Sequence, residues 1–258
     1  MTFACMAAQA SPFPVEAFSR LAAIESTHWW FRGRNQLLLW IMREKVRPKT
    51  DFLEVGCGTG CVLEAVALSF PWLKLEATEY HEEGIAYARI RTPTCRFRQL
   101  DATLMSDISR YDCIGCFDVL EHIQSDETVL QNFHVALRSR GYLILTVPQH
   151  RWLWSVSDDF AQHVRRYSRK EIVAKLKSAG FRVSYLSSFV SLLLPLMIAQ
   201  RLGASHGKQD DYSIDQLLSI NPFLNHCFYM IMLVELWLLR HGLTFLAGGS
   251  LIILAQKP

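Results

Sequence analysis

The chain has 258 residues, half of them apolar and a fifth charged, enough to bury the core of one large domain or of a domain with an appendage. A net charge of +3, with no basic run longer than Arg165-Arg166, gives no electrostatic case for nucleic acid as a partner. Seven scattered cysteines, an odd number, suit a reducing cytosol rather than a disulfide framework.

The opening stretch, MTFACMAAQASPFP, has no positive leading region and only a short apolar run, so it makes a poor signal peptide. From Pro12 to Lys49 the apolar residues fall at helical spacing: Val15, Phe18, Leu21 and Ala22, then Leu37, Leu38, Ile41 and Met42. Two helices are predicted, with the aromatic cluster His28-Trp29-Trp30-Phe31 between them and Pro48 closing the second. From Thr50 onward short apolar runs alternate with amphipathic stretches. Strands are predicted over 52–55, 73–78, 96–100, 113–117 and 142–147, with two more near 181–185 and 250–255. Ser125, Asp126 and Glu127 open a helix expected to end before Gly141. Ser168-Arg169-Lys170-Glu171 reads as a capping box for another, closed by Gly180. This alternation predicts a parallel sheet covered on both faces. Cys113 and Cys116 form a CxxC, but on a strand they face opposite sides and no second pair completes a set, so no metal is expected there.

Residues 191–249 differ in character. Apolar runs at 192–199 and 229–239 flank a polar patch, 205–215, and no charge occurs in the 18 positions between Arg182 and Arg201. That length just reaches a bilayer span, yet serines, Gln200 and Pro195 interrupt it, and Glu235 and Arg240 interrupt the later run. Helices that roof a pocket or lie in a membrane interface are expected, with Glu235 and Arg240 in water and Leu236, Trp237 and Leu239 in lipid.

The densest chemical signal is Phe52-Leu53-Glu54-Val55-Gly56-Cys57-Gly58-Thr59-Gly60, directly before a helix. Glycines at a strand-to-helix turn let a ligand approach bare backbone. A dinucleotide fingerprint would place Gly or Ala at position 61, where this chain has Cys61. With Glu54 at the strand end, that argues against NAD.

This acidic strand end with GxGxG resembles the first motif of class I S-adenosylmethionine-dependent methyltransferases. The resemblance implies a Rossmann-like doubly wound α/β sheet of seven strands, the last antiparallel. N-terminal helices (1–49) would cover the pocket, 50–190 with 250–258 would bind the cofactor, and 191–249 would be a hydrophobic helical insertion between the last two strands. It implies S-adenosylmethionine as cofactor, with Glu54, Gly56, Gly58 and Gly60 along its methionine part. Glu79 would lie on the ribose, where a carboxylate can accept two hydroxyls. Asp101 and Ala102 would lie at the adenine, and Asp118, Glu121 and His122 would also face the cofactor.

Two further stretches, His28 to Arg34 (HWWFRGR) and Val147 to Tyr167, look like a bacterial subgroup similar in outline to the ubiquinone and menaquinone biosynthesis methyltransferases. Here His163 and His150 are the candidate bases, and Trp30, Asp158, Arg165 and Tyr167 the candidate acceptor contacts. The resemblance implies methyl transfer; the acceptor is read as a small-molecule or lipid-linked one methylated at oxygen, and the protein as cytoplasmic, with peripheral contact to the inner face of the membrane through 191–249. Transfer to carbon or nitrogen, or a membrane-associated protein that binds the cofactor without turnover, remain the alternatives.

Overall fold

The computed structural model describes residues 14–203 and 219–258, so the opening stretch and the polar patch at 205–215 lie outside the described residues. Two helices, α1 (Ala17–Ile24) and α2 (Trp29–Ile41), precede the sheet. The aromatic cluster is not a linker between them. His28 caps α2, its Nδ1 accepting from Trp30 N at 3.3 Å, so Trp29, Trp30 and Phe31 form the helix's first turn. A π-helical turn, Met42–Val46, extends α2, and the chain leaves it where Arg47 turns left-handed ahead of Pro48.

There follow β1 (Asp51–Val55), α3 (Cys61–Ser69), β2 (Lys74–Glu79), α4 (Glu82–Arg91), β3 (Arg96–Gln99) and β4 (Tyr111–Phe117). Next come α5 (Asp126–Ala136), β5 (Leu137–Pro148), α6 (Val156–Phe160), α7 (Arg169–Ser178) and β6 (Arg182–Phe189). The chain ends with α8 (Leu194–Gly203), α9 (Pro222–Arg240) and β7 (Ser250–Gln256). The seven strands are ordered β3-β2-β1-β4-β5-β7-β6. The first five are parallel, and β7 slots antiparallel between β5 and β6. The fold is therefore the doubly wound sheet expected, with a helical insertion before its last strand.

Local departures have identifiable causes. The helix expected to end before Gly141 ends at Ala136, and β5 starts at Leu137 rather than at 142; in this early stretch Arg138 pairs with Asp51 and Asp112 (2.8 and 2.9 Å) and Arg140 takes a positive φ of 62°. Only half of the expected capping box forms at Ser168, which accepts from Glu171 N at 3.2 Å, since the Glu171 carboxylate is engaged by Arg151. The reciprocal box forms instead at Ser155 and Asp158.

Alternation along the strands divides the core. Leu53, Ile114, Cys116 and Leu143 pack with Val129, Phe133 and Leu176 of α5 and α7 on one face. Phe52, Cys113, Phe117 and Ile144 pack with Leu38, Val66 and Leu236 of α2, α3 and α9 on the other. The two CxxC thiols thus lie in separate core layers. Helix α9 lies close on α2, Met232 coming within 3.0 Å of where a Cβ on Gly33 would stand. This corrects the expected disposition of α9. Leu236 and Leu239 belong to the protein core, and Glu235 is buried, its Oε2 accepting from Ser191 N and Leu192 N at 2.7 and 2.8 Å. Capping the turn into α8 gives one carboxylate oxygen two backbone donors; the other, Oε1, has no hydrogen bond among the described residues, and burial raises the pKa of the group.

Candidate active site

A cavity of about 1180 Å³ opens at the C-terminal ends of β1, β2, β4 and β5, where parallel strands diverge. It exceeds the roughly 300–1,000 Å³ of an ordinary single-ligand pocket, so two reactants fit. Helices α1 and α2, the segment around α6, and α8 form its roof.

The glycine turn makes one wall. Gly58 adopts φ +52° with nothing within 4 Å of where its Cβ would be, leaving bare backbone open to a ligand. Gly60 plays another part: it is not in the cavity lining, and a Cβ there would stand 2.9 Å from Ala88 Cα. It is a packing position between α3 and α4. Glu79 fastens the turn, Oε2 accepting from Gly58 N (2.8 Å) and Oε1 from Tyr80 N and His81 N (2.8 and 3.1 Å). Asp101 caps the short turn after β3 by accepting from Thr103 N at 2.8 Å, and Ala102 lies beside it in the lining.

Carboxylates crowd this wall. Glu54 is buried, its Oε2 lacks a hydrogen bond among the described residues, and burial raises its pKa to about 8 despite the nearby Arg34 guanidinium. Asp118, at φ +56°, receives Arg34 Nη1 at 2.7 Å and Thr146 Oγ1 at 2.9 Å. Glu121 is 1 % exposed, and burial with the neighbouring Asp118 charge pushes its carboxyl well up. Glu25, from the end of α1, accepts from Thr59 Oγ1 and pairs with Arg91 at 3.0 Å, tying the N-terminal helices to the glycine turn. Such a wall offers no cation to a pyrophosphate beyond the paired Arg34, and its protonated carboxyls would ionise more readily beside a cationic ligand. Bare backbone at Gly58 and the unbonded Glu54 oxygen fit the sulfonium-bearing cofactor implied by the resemblance.

Beyond Asp118 the cavity continues to His163. Its Nδ1 lies 2.8 Å from Asp158 Oδ1 and its Nε2 4.0 Å from Glu121, with the His122 ring 4.7 Å away. Asp158 also receives Arg166 through Nε and Nη2 at 2.7 and 2.9 Å. Burial opposes ionisation of Asp158, but the bonds from His163 and Arg166 prevail and hold its pKa at about 2. Glu121, His122 and His163 gather three donors spread over up to 4.8 Å. That is wider than the about 3.3 Å between donors of a tetrahedral zinc, so a metal would require the three to close up.

Of the sequence-predicted residues, the cavity brings together Trp30, Glu54, Gly56, Gly58, Glu79, Asp101, Ala102, Asp118, Glu121, His122 and His163. Asp158 stands one layer behind His163. Three others turn away. A bridge pairs Gln149 with Tyr167, so alternation sends Arg166 toward the cavity and its neighbours elsewhere. Tyr167 is fully buried and donates to Asp126 at 2.7 Å, and Arg165 pairs with the same carboxylate at 2.7 Å. His150, at φ +64°, lies against Trp152 outside the lining. Glu25, Thr59, Arg34, Arg166 and Arg201 were missed. Arg34, Thr59 and Arg166 stood inside the stretches that carried the resemblance, whereas Glu25 and Arg201 carried no signal.

A family profile described as a methyltransferase domain matches residues 24–186. The malonyl-[acyl-carrier protein] O-methyltransferase of Bacillus cereus is 24% identical over 197 residues, 68% of this chain and 73% of that protein. The ubiquinone biosynthesis O-methyltransferase of Histophilus somni is 24% identical over 155 residues, 52% of this chain and 63% of that protein. Among solved structures, the N-methyltransferase NodS of Bradyrhizobium japonicum with S-adenosylhomocysteine superposes with a TM-score of 0.58 at 14% identity, covering 95% of this chain and 98% of that one. The profile covers more than half of the chain, across the glycine turn and every parallel strand. The chain belongs to the methyltransferase-domain family and is a class I S-adenosylmethionine-dependent methyltransferase.

Proposed function

We propose that the protein transfers the methyl group to an oxygen of a small or lipid-linked acceptor held at the His163 end of the cavity. The observation that carries this reading is the His163–Asp158–Arg166 chain. An Asp158 that stays ionised keeps the proton on the facing Nδ1, leaving the Nε2 lone pair to take a proton from a hydroxyl. The names of the two O-methyltransferase relatives support oxygen as the acceptor atom.

The cofactor supplies an activated methyl group on a sulfonium, so the chain's own task is alignment and exclusion of water. Gly56, Gly58 and Glu79 shape the methionine and ribose end, Asp101 and Ala102 the adenine end, and Asp118, Glu121 and His122 the floor. Trp30 and its aromatic neighbours close the acceptor side. In this reading 1–49 is the cover, 50–190 with 250–258 the cofactor domain and 191–249 the insertion. The insertion gives peripheral contact with a membrane from the cytoplasmic side: α9 is long and apolar enough to cross one by length and composition, and only 22% of its apolar stretch is buried in the protein.

Lipid and metabolite extracts incubated with methyl-labelled cofactor, followed by mass spectrometry, test the reading. A labelled O-methyl product is expected, with turnover reduced by His163→Ala while S-adenosylhomocysteine affinity is kept. Label on carbon or nitrogen, or no product, would overturn it.

A further inference from the structure

Three guanidinium groups line the cavity, from Arg34, Arg166 and Arg201. Two are neutralised in place: Arg34 by Asp118 at 2.7 Å, and Arg166 by both oxygens of Asp158 at 2.7 and 2.9 Å. Arg201 differs. It comes from α8, and among the described residues it makes one hydrogen bond, Nε to Leu153 O at 3.3 Å, and no ion pair.

Its surroundings leave that charge uncompensated. Burial and the nearby Arg166 both disfavour its cationic form, while Asp158, the opposing charge, already has both oxygens engaged by Arg166 and His163. Two guanidiniums therefore share one carboxylate in this corner. A half-buried cation without a partner is costly in a folded protein, unless a ligand completes it. Phe160 and Met197 bring apolar surface to the cavity from the segments that carry Arg166 and Arg201, and Trp29, Trp30 and Phe31 line it from α2, alongside the polar Gln162 and Gln200.

We propose that Arg201 determines acceptor specificity, and that the acceptor carries an oxyanion, a carboxylate or a phosphate, on an apolar body. The inference rests on the reading that the His163 end receives the acceptor. It assigns the insertion a part in the cavity itself: α8 brings Met197, Gln200 and Arg201 to a pocket otherwise built by the sheet and the N-terminal helices.

The test uses the full chain saturated with S-adenosylhomocysteine, so that the cofactor end is filled and nothing turns over. Decanoate, decyl phosphate and decanol are titrated below their aggregation limits and followed by calorimetry. At least one anion is expected to bind about tenfold or more tightly than decanol, the smallest effect expected of a charge-assisted hydrogen bond. The ratio of the two anions tells carboxylate from phosphate. Arg201→Gln should bring the anions to the decanol level with S-adenosylhomocysteine affinity unchanged, and Arg201→Lys should restore part of the preference. Equal binding of all three probes by the wild type, or an anion preference that survives Arg201→Gln, would overturn the proposal. Product analysis decides the O-methyl reading independently, because this titration does not depend on which atom is methylated.

Discussion

Arg34 Nη1 stands 2.7 Å from Asp118 Oδ2, joining the second turn of α2 to the end of β4, with both side chains largely buried. The same guanidinium is the favourable charge facing Glu54. One residue of the N-terminal helices thus holds the roof on and offsets a crowded carboxylate wall. Arg34→Ala should lower stability by about 3–5 kcal/mol, the range for stranding one member of a buried pair. Arg34→Met combined with Asp118→Asn should recover most of the loss. Urea unfolding of both variants checks this, and a double variant no better than the single would contradict it.

Two glycines of the turn should separate folding from binding. Gly60→Ala places a methyl 2.9 Å from Ala88 at φ +82°, so α3 and α4 must part. Left-handed strain and the clash together suggest a loss of about 2–4 kcal/mol. Gly58→Ala meets nothing in the protein at φ +52°, adding only about 1 kcal/mol of backbone strain, but its methyl fills ligand space. Its S-adenosylhomocysteine affinity should fall at least about tenfold with little change in Tm. Calorimetry alongside thermal melts checks both, and an unchanged affinity in Gly58→Ala would place Gly58 outside the cofactor site.

Stability should also respond to pH through Glu54. Its folded pKa of about 8 lies above the unfolded 4.5, so between those values the folded state binds the extra proton. The contribution is complete below pH 4.5 and is lost as pH rises through 8. His28, His134 and His150, whose pKa values are lowered by burial, act in the opposite sense below pH 6.5. Comparing Glu54→Gln with the parent isolates the one term. The variant should match the parent near pH 5 and become the more stable by pH 9, as read by urea midpoints. Parallel curves would show that Glu54 is not the group that titrates.

What could be read from the sequence was local. Glycines at a strand end and acids at successive strand ends are short-range patterns, and those positions line the cavity apart from Gly60, whose role depends on Ala88 in another helix. Pairings across long separations left no such trace. Arg34 meets Asp118, and Glu25 meets Thr59 and Arg91, only because the roof folds back over the sheet. Around Tyr167 the residue types were informative but their direction was not, because the bridge to Gln149 sets which neighbour faces inward. Glu235 looked like a charge that needed water, until the turn into α8 supplied backbone donors for it.

That buried carboxylate bears on the membrane contact proposed for α9. With Glu235 buried against the turn into α8, Arg240 at the helix end is the other charged residue of α9. Opposite the face of Met232, Leu236 and Leu239 that packs on the protein, Phe223, Met230, Val234 and Trp237 form a stripe at helical spacing, exposed by 72%, 45%, 51% and 56%. Three such side chains entering the interface contribute on the order of 5 kcal/mol, enough for reversible binding without a span. Trp237 and Arg240 at the C-terminal end suit the headgroup level. The protein should therefore float with anionic liposomes, largely retained in high salt because the contact is apolar. Met230→Lys with Val234→Lys should abolish flotation and leave Tm unchanged, since neither residue belongs to the core. Leu236→Lys should instead unfold the chain. Binding that survives the double lysine variant would place the contact elsewhere, and resistance to carbonate extraction would make α9 a spanning anchor rather than an interfacial one.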